Sequence, residues 1–145
     1  MTSVLRGIAS IGVVAVLLGC QSATEPFGVM LRIEPTQASY IAGSTVFASL
    51  RNVGAEEVSY NACGSRLQRL ANRNWVDLGT TDAGCLDSAS PLQVGISVLE
   101  RVGALPADLA PGTYRYELRA LTTAGRAIPG GMRSSAAFIV IEPDE

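Results

Sequence analysis

Three aspartates, Asp77, Asp82 and Asp87, crowd one stretch of this 145-residue chain. A calcium site is assembled from such converging carboxylate oxygens. Their spacing lacks the D-x-D-x-D-G order of a loop that wraps the ion, so they read as solvated loop acids and no metal ligand set is assigned. Glu56 and Glu57 form a second acidic pair. Adjacent strand residues point to opposite faces, which keeps these two from converging as general acid and base. Arg115, Glu117 and Arg119 alternate along one segment, opposite Tyr114 and Tyr116. A stripe of this kind either binds an anion or a polymer, or pairs with itself as an outward charged face; the second is the commoner arrangement. Trp75 is the only tryptophan, and its default role is a core plug or loop anchor, with an exposed sugar- or protein-contacting platform as the alternative.

Nucleophilic catalysis finds no footing. The sequence has no histidine, which removes the commonest general base and the commonest metal ligand together. Serines are plentiful, but none sits in a G-x-S-x-G elbow, and a Ser–Lys dyad needs a lysine where every basic residue is arginine. Carboxylate pairs of the glycosidase kind are formally available, yet no spacing singles one out. No catalytic residue is assigned, no cofactor is implied, and an enzyme is not expected. Eleven arginines against thirteen acids give a formal charge of −2, which is not the basic balance of a nucleic-acid binder.

The elements that must position these residues alternate with period two. Phe27, Val29, Leu31 and Ile33 share one face of a strand ending at Glu34-Pro35. Val46, Ala48 and Leu50 mark a second, and Val58, Tyr60 and Ala62 a third that runs into Cys63. Leu67–Leu70 and Trp75–Leu78 flank the turn 71–74 as a hairpin. Residues 79–91 form a polar loop. Ile96 and Val98, continuing toward Val102, carry another strand; Tyr114, Tyr116, Leu118 and Ala120 alternate strongly; Ala136, Phe138 and Val140 close the series. Seven or eight short strands without an amphipathic helical pattern predict an all-β sandwich.

The first nineteen residues are built differently. Arg6 supplies a sparse positive charge, Ile8–Leu18 an eleven-residue apolar run, and Gly19 a small residue before Cys20. A spanning helix needs about 20 apolar residues, so a cleaved leader is the better reading. Leu17-Leu18-Gly19-Cys20 resembles the lipobox of bacterial lipoproteins, with Leu18 a mild departure where a smaller residue is usual. The resemblance implies cleavage before Cys20, a diacylglycerol on its thiol, acylation of the new amine, and the membrane as a partner. Two or three acyl chains make a lasting anchor where one is marginal. Gln21, in place of an aspartate, favours the outer membrane in a Gram-negative organism.

On that reading residues 1–19 are the leader, 20–26 the lipidated cysteine and a short polar tether, 27–142 the domain and 143–145 a tail. The six tether residues reach about 20 Å at 3.3–3.6 Å each, which holds the domain close to the membrane. Losing Arg6 with the leader takes the mature formal charge to −3. Assigning Cys20 to lipid leaves Cys63 and Cys85 as an even pair in a disulfide-permissive setting. Their bridge would close about 23 residues and contribute roughly 3 kcal/mol.

Residues 27–141 resemble bacterial immunoglobulin-like domains through Gly43-x-x-Val46, Leu50-x-Asn52-x-Gly54, Val58-x-Tyr60, Trp75, Gly95-x-Ser97 and Pro111-Gly112-Thr113-Tyr114. Tyr114, at a strand start after a Pro-Gly turn, stands where such folds place a tyrosine corner, its hydroxyl bonding back to the preceding loop. The same arrangement is similar to intracellular proteinase inhibitor domains. In antibody-type domains the paired cysteines staple the sheets, whereas Cys85 follows Trp75 by ten residues, so here the bridge pins the 79–91 loop. The resemblance implies a non-catalytic envelope module with a protein or envelope-polymer partner. A proteinase inhibitor presenting loop 101–112 or 79–91 is the alternative, and a calcium-dependent binder through the Asp loop a third.

Overall fold

The computed structural model describes residues 30–81 and 88–143. They form two packed β-sheets, the expected all-β sandwich. The strands are β1 Leu31–Pro35, β2 Ser39–Ile41, β3 Thr45–Asn52, β4 Val58–Ala71, β5 Asn74–Thr80, β6 Ser90–Leu92, β7 Ser97–Ala104, β8 Gly112–Thr122 and β9 Phe138–Ile141. The smaller sheet runs β1-β3-β7 and the larger β2-β9-β8-β4-β5, with β6 beside the first residues of β4. All pairings are antiparallel except β2 with β9.

Alternation places the core. β3 buries Val46, Ala48, Leu50 and Asn52, while β8 buries Tyr114, Tyr116, Leu118, Ala120 and Thr122. Phe138 of β9 packs edge-on against Tyr40 at 5.3 Å and stacks with Tyr114 at 6.3 Å and Tyr116 at 6.0 Å, in the offset geometries aromatic rings prefer. The sheets approach closely at Gly103 on β7. A Cβ there would lie 2.7 Å from the Tyr116 hydroxyl and 2.8 Å from Thr81 Oγ1, so only hydrogen fits between the layers.

Several elements depart from the sequence reading. Among the described residues nine strands form rather than seven or eight, because β2 and β6 are three residues each and too short to alternate visibly. The third strand and the first hairpin arm are one fourteen-residue strand, β4, whose pairing with β8 shifts register between Asn61 and Arg66. Local side-chain bonds carry the irregularity: Asn61 Oδ1 accepts from the Cys63 and Gly64 amides, and the Ser65 hydroxyl donates to the Ala62 carbonyl at 2.5 Å. The hairpin itself is tighter than 71–74. Ala71 pairs with Asn74, leaving Asn72 and Arg73 as the loop at φ 50° and 65°, the twist of a two-residue hairpin turn. Ile96 sits in a turn before β7, and Ala136 is an exposed residue before β9.

Candidate binding face

The outward surface of the larger sheet gathers Trp75, Arg115, Glu117 and Arg119 of the residues that the sequence singles out. Its geometry follows from register: Gln68 on β4 pairs with Arg115 on β8 and with Asp77 on β5, and Leu70 pairs with Trp75. Alternation turns all of these away from the buried tyrosines.

Trp75 is half-buried on this face rather than in the core, which corrects its reading as a plug or loop anchor. The Arg115 guanidinium lies over its ring at 4.3 Å, a cation–π stack. Arg115 Nε donates to Gln68 Oε1 at 2.7 Å, and Gln68 Nε2 donates to Glu117 Oε2 at 2.9 Å. Arg133 completes the chain by donating Nη2 to Glu117 Oε1 at 2.8 Å and Nη1 to the Leu118 carbonyl. Gln68 is buried, and the Arg133 and Glu117 side chains keep only 27% and 16% of their surface in water. This semi-dry setting strengthens the chain of bonds beyond an exposed pair. Burial lowers the Arg115 pKa from its ordinary value, opposed by the Glu117 carboxylate.

The arrangement is therefore a self-paired polar face with a tryptophan at its rim. Arg119 is exposed on the same face and pairs in register with Asn61. Gln68 and Arg133 escaped the sequence reading. Gln68 lies between Leu67 and Leu70 in a hairpin arm, and Arg133 in a segment between strands; neither carries a local signal.

The remaining candidates separate. Asp77 accepts from Arg66 Nη2 at 2.5 Å and from the Gly79 amide at 2.7 Å, while Asp82 and Asp87 lie outside the described residues. No group of three metal-ligating side chains occurs among the described residues. Glu56 and Glu57 sit on the turn that enters β4, and they diverge: Glu56 pairs with Arg126 at 3.1 Å and Glu57 accepts from Gln93. Cys63 is half-buried beside the β4 irregularity, and Cys20 and Cys85 fall outside the described residues.

The segment 101–112 does not form an extended loop. Its first four residues belong to β7, and the rest folds back: Leu105 is buried and its amide donates to Ser44, while Pro106 accepts from Gly43 and Leu109. At the end of this segment the Tyr114 hydroxyl donates to the Ala110 carbonyl at 2.6 Å, the back-bond foreseen from the Pro-Gly-Thr-Tyr sequence. Against known proteins, no family model matches the chain, and none of the curated proteins matches it.

Proposed function

We propose that the chain is a lipid-anchored extracytoplasmic protein whose domain is an immunoglobulin-like, non-catalytic binding or structural module of the cell envelope. The observation that carries the domain reading is the Tyr114 bond to Ala110, set at the head of a central strand of the larger sheet. The strand order supports it: β1-β3-β7 facing β9-β8-β4-β5 has the pattern of the two sheets of that fold, with the corner on the strand after the smaller sheet's last member. The polar groups of the sheet face engage one another in the Arg115–Gln68–Glu117–Arg133 chain, the arrangement of a surface that presents shape rather than reactive groups.

Leu17-Leu18-Gly19-Cys20 supports the anchor, and Gln21 supports the outer membrane in a Gram-negative cell. We assign Cys63 and Cys85 to one disulfide, as the even pair that is left once Cys20 is given to lipid. Mass spectrometry of the chain purified from membranes tests the whole assignment. The expected species begins at Cys20, carries diacylglycerol with a further acyl chain, and is lighter by the two hydrogen atoms that oxidation to one disulfide removes. An intact Met1, an unmodified Cys20 or two free thiols at 63 and 85 would each overturn the corresponding part. For the module, in-cell crosslinking from the Trp75 face is expected to capture a discrete envelope protein or polymer. A face that crosslinks to nothing above the level of an unrelated surface position removes the binding role.

A further inference from the structure

At the end where β3 leaves the smaller sheet, three β-branched residues stand out on loops: Val53 at 40% exposure, Val94 at 50% and Ile96 at 50%. Turns ordinarily place glycine, asparagine, aspartate or serine at such tips.

These tips are held as one unit by Asn52, which is wholly buried. Its Nδ2 donates to the Glu56 and Leu92 carbonyls at 2.8 Å each, and its Oδ1 accepts from the Gly54 amide at 3.0 Å. Its backbone amide donates to Ile96 and its carbonyl accepts from Gly95, so both loops close on a single residue. The Gln93–Ile96 turn is closed by the Ile96 amide donating to Gln93, with Gly95 at φ +78°, a conformation that favours glycine. The tips are thus presented by a fixed frame, with little ordering left to lose on contact.

The first described residue also lies here. The Met30 carbonyl accepts from the Val53 amide at 3.1 Å, and Met30 follows Cys20 by ten residues. An anchor at Cys20 therefore lies nearer this end than the opposite one along the chain. The rim carries Arg51 and its cross-strand partner Arg32, both exposed, with the Glu34 carboxylate 4.0 Å from Arg32 Nε on the strand's outer face. Like charges placed opposite each other are unfavourable in water and suit a layer of anionic headgroups. The acids at this end are engaged, Glu56 by Arg126 and Glu57 by Gln93.

We propose that Val53, Val94 and Ile96 form a membrane-docking surface, seated in the interfacial layer of the lipid bilayer with Arg32 and Arg51 over the headgroups. The proposal rests on the lipid-anchored reading and adds which surface faces the membrane. Three apolar tips bind a bilayer weakly on their own. A tether converts that contact into an intramolecular one at an effective concentration of order millimolar.

The test uses the full chain purified from membranes, with the mass at Cys20 measured first. It is reconstituted in phosphatidylethanolamine–phosphatidylglycerol vesicles whose acyl chains carry bromine, a contact quencher of tryptophan. Native Trp75 gives the background signal, and Val94→Trp, Val53→Trp and Ile139→Trp each add one indole, the last at an equally exposed site toward the opposite end. Interfacial seating predicts that the indoles added at 94 and 53 are quenched at least about twofold more than the one at 139. Equal quenching with an acylated Cys20 overturns the docking surface and leaves the anchor standing. An unmodified Cys20 removes the anchor and this orientation with it. Loss of quenching at 94 and 53 in a chain that sediments as a dimer overturns the proposal in favour of a second copy as the occupant.

Discussion

The sandwich closes its two ends by different physics. Around Gly112, closure is aromatic: Phe138 sits among Tyr40, Tyr114 and Tyr116, and the Tyr114 hydroxyl reaches back to Ala110. The Arg69 guanidinium lies 5.9 Å from the Tyr114 ring centroid and donates to the Pro111 carbonyl. Around Asn52, closure rests on one buried amide that ties two stretches of backbone, the 54–56 loop and Leu92. An aromatic cluster spreads its stabilisation over many weak contacts and loses it in portions. A polar hub concentrates it, because removing one side chain leaves several buried backbone groups without partners.

The largest expected effect breaks the hub. Asn52→Ala orphans the Leu92 and Glu56 carbonyls and the Gly54 amide, and is expected to cost about 3–5 kcal/mol in urea unfolding at neutral pH. A cost below that of one ordinary hydrogen bond would show that water replaces the amide, and the contrast between the ends would fall. Gly103→Ala probes the aromatic end through its packing. The added methyl must displace Tyr116 or Thr81, and a loss of about 1–3 kcal/mol is expected, with reduced near-ultraviolet circular dichroism from the moved tyrosine. Tyr114→Phe removes one hydroxyl and keeps the ring, so only about 1 kcal/mol should be lost. Finding Tyr114→Phe as damaging as Asn52→Ala would mean that the aromatic end, too, hangs on a single bond.

The smallest effect is one of pH. Tyr60 donates to Glu100 Oε1 at 2.6 Å across the two sheets; burial first, and then that carboxylate, push its pKa above the ordinary phenol value of about 10. The folded state therefore holds this proton more tightly than the unfolded chain. The associated stability is fully present below about pH 10 and drains away as pH rises beyond it. Thermal unfolding between pH 9 and 11 should fall more steeply for the native chain than for Tyr60→Phe, and parallel profiles would refute the linkage.

The sequence made the aromatic end legible and left the polar end obscure. Tyr114, Tyr116, Leu118 and Ala120 alternate in plain view, and Pro111-Gly112 announces the turn before them; all four are buried. Asn52 stood only as one letter in a turn motif, because its three partners come from two other segments and its value lies in their convergence. Trp75 shows the same limit. Its type suggested the core, yet the register of the Asn72–Arg73 turn decides its face and sets it beneath Arg115. The break in alternation across Ala62–Ser65 suggested two strands where the backbone continues as one, since side-chain bonds from Asn61 and Ser65 carry it through.

The pairing of Tyr40 with Val140 sets the order of events when the chain is made. The two lie a hundred positions apart, so this contact closes almost the whole domain into one loop and comes late in folding. Until β9 has emerged, Tyr40, Tyr114 and Tyr116 lack the ring they share, and β8 exposes one hydrogen-bonding edge. A chain delivered from its N-terminus must therefore wait for its last strand before the larger sheet is complete. Truncation a few residues short of Phe138 would leave the long β4–β8 pairing in place but hold the barrier to the finished sandwich open.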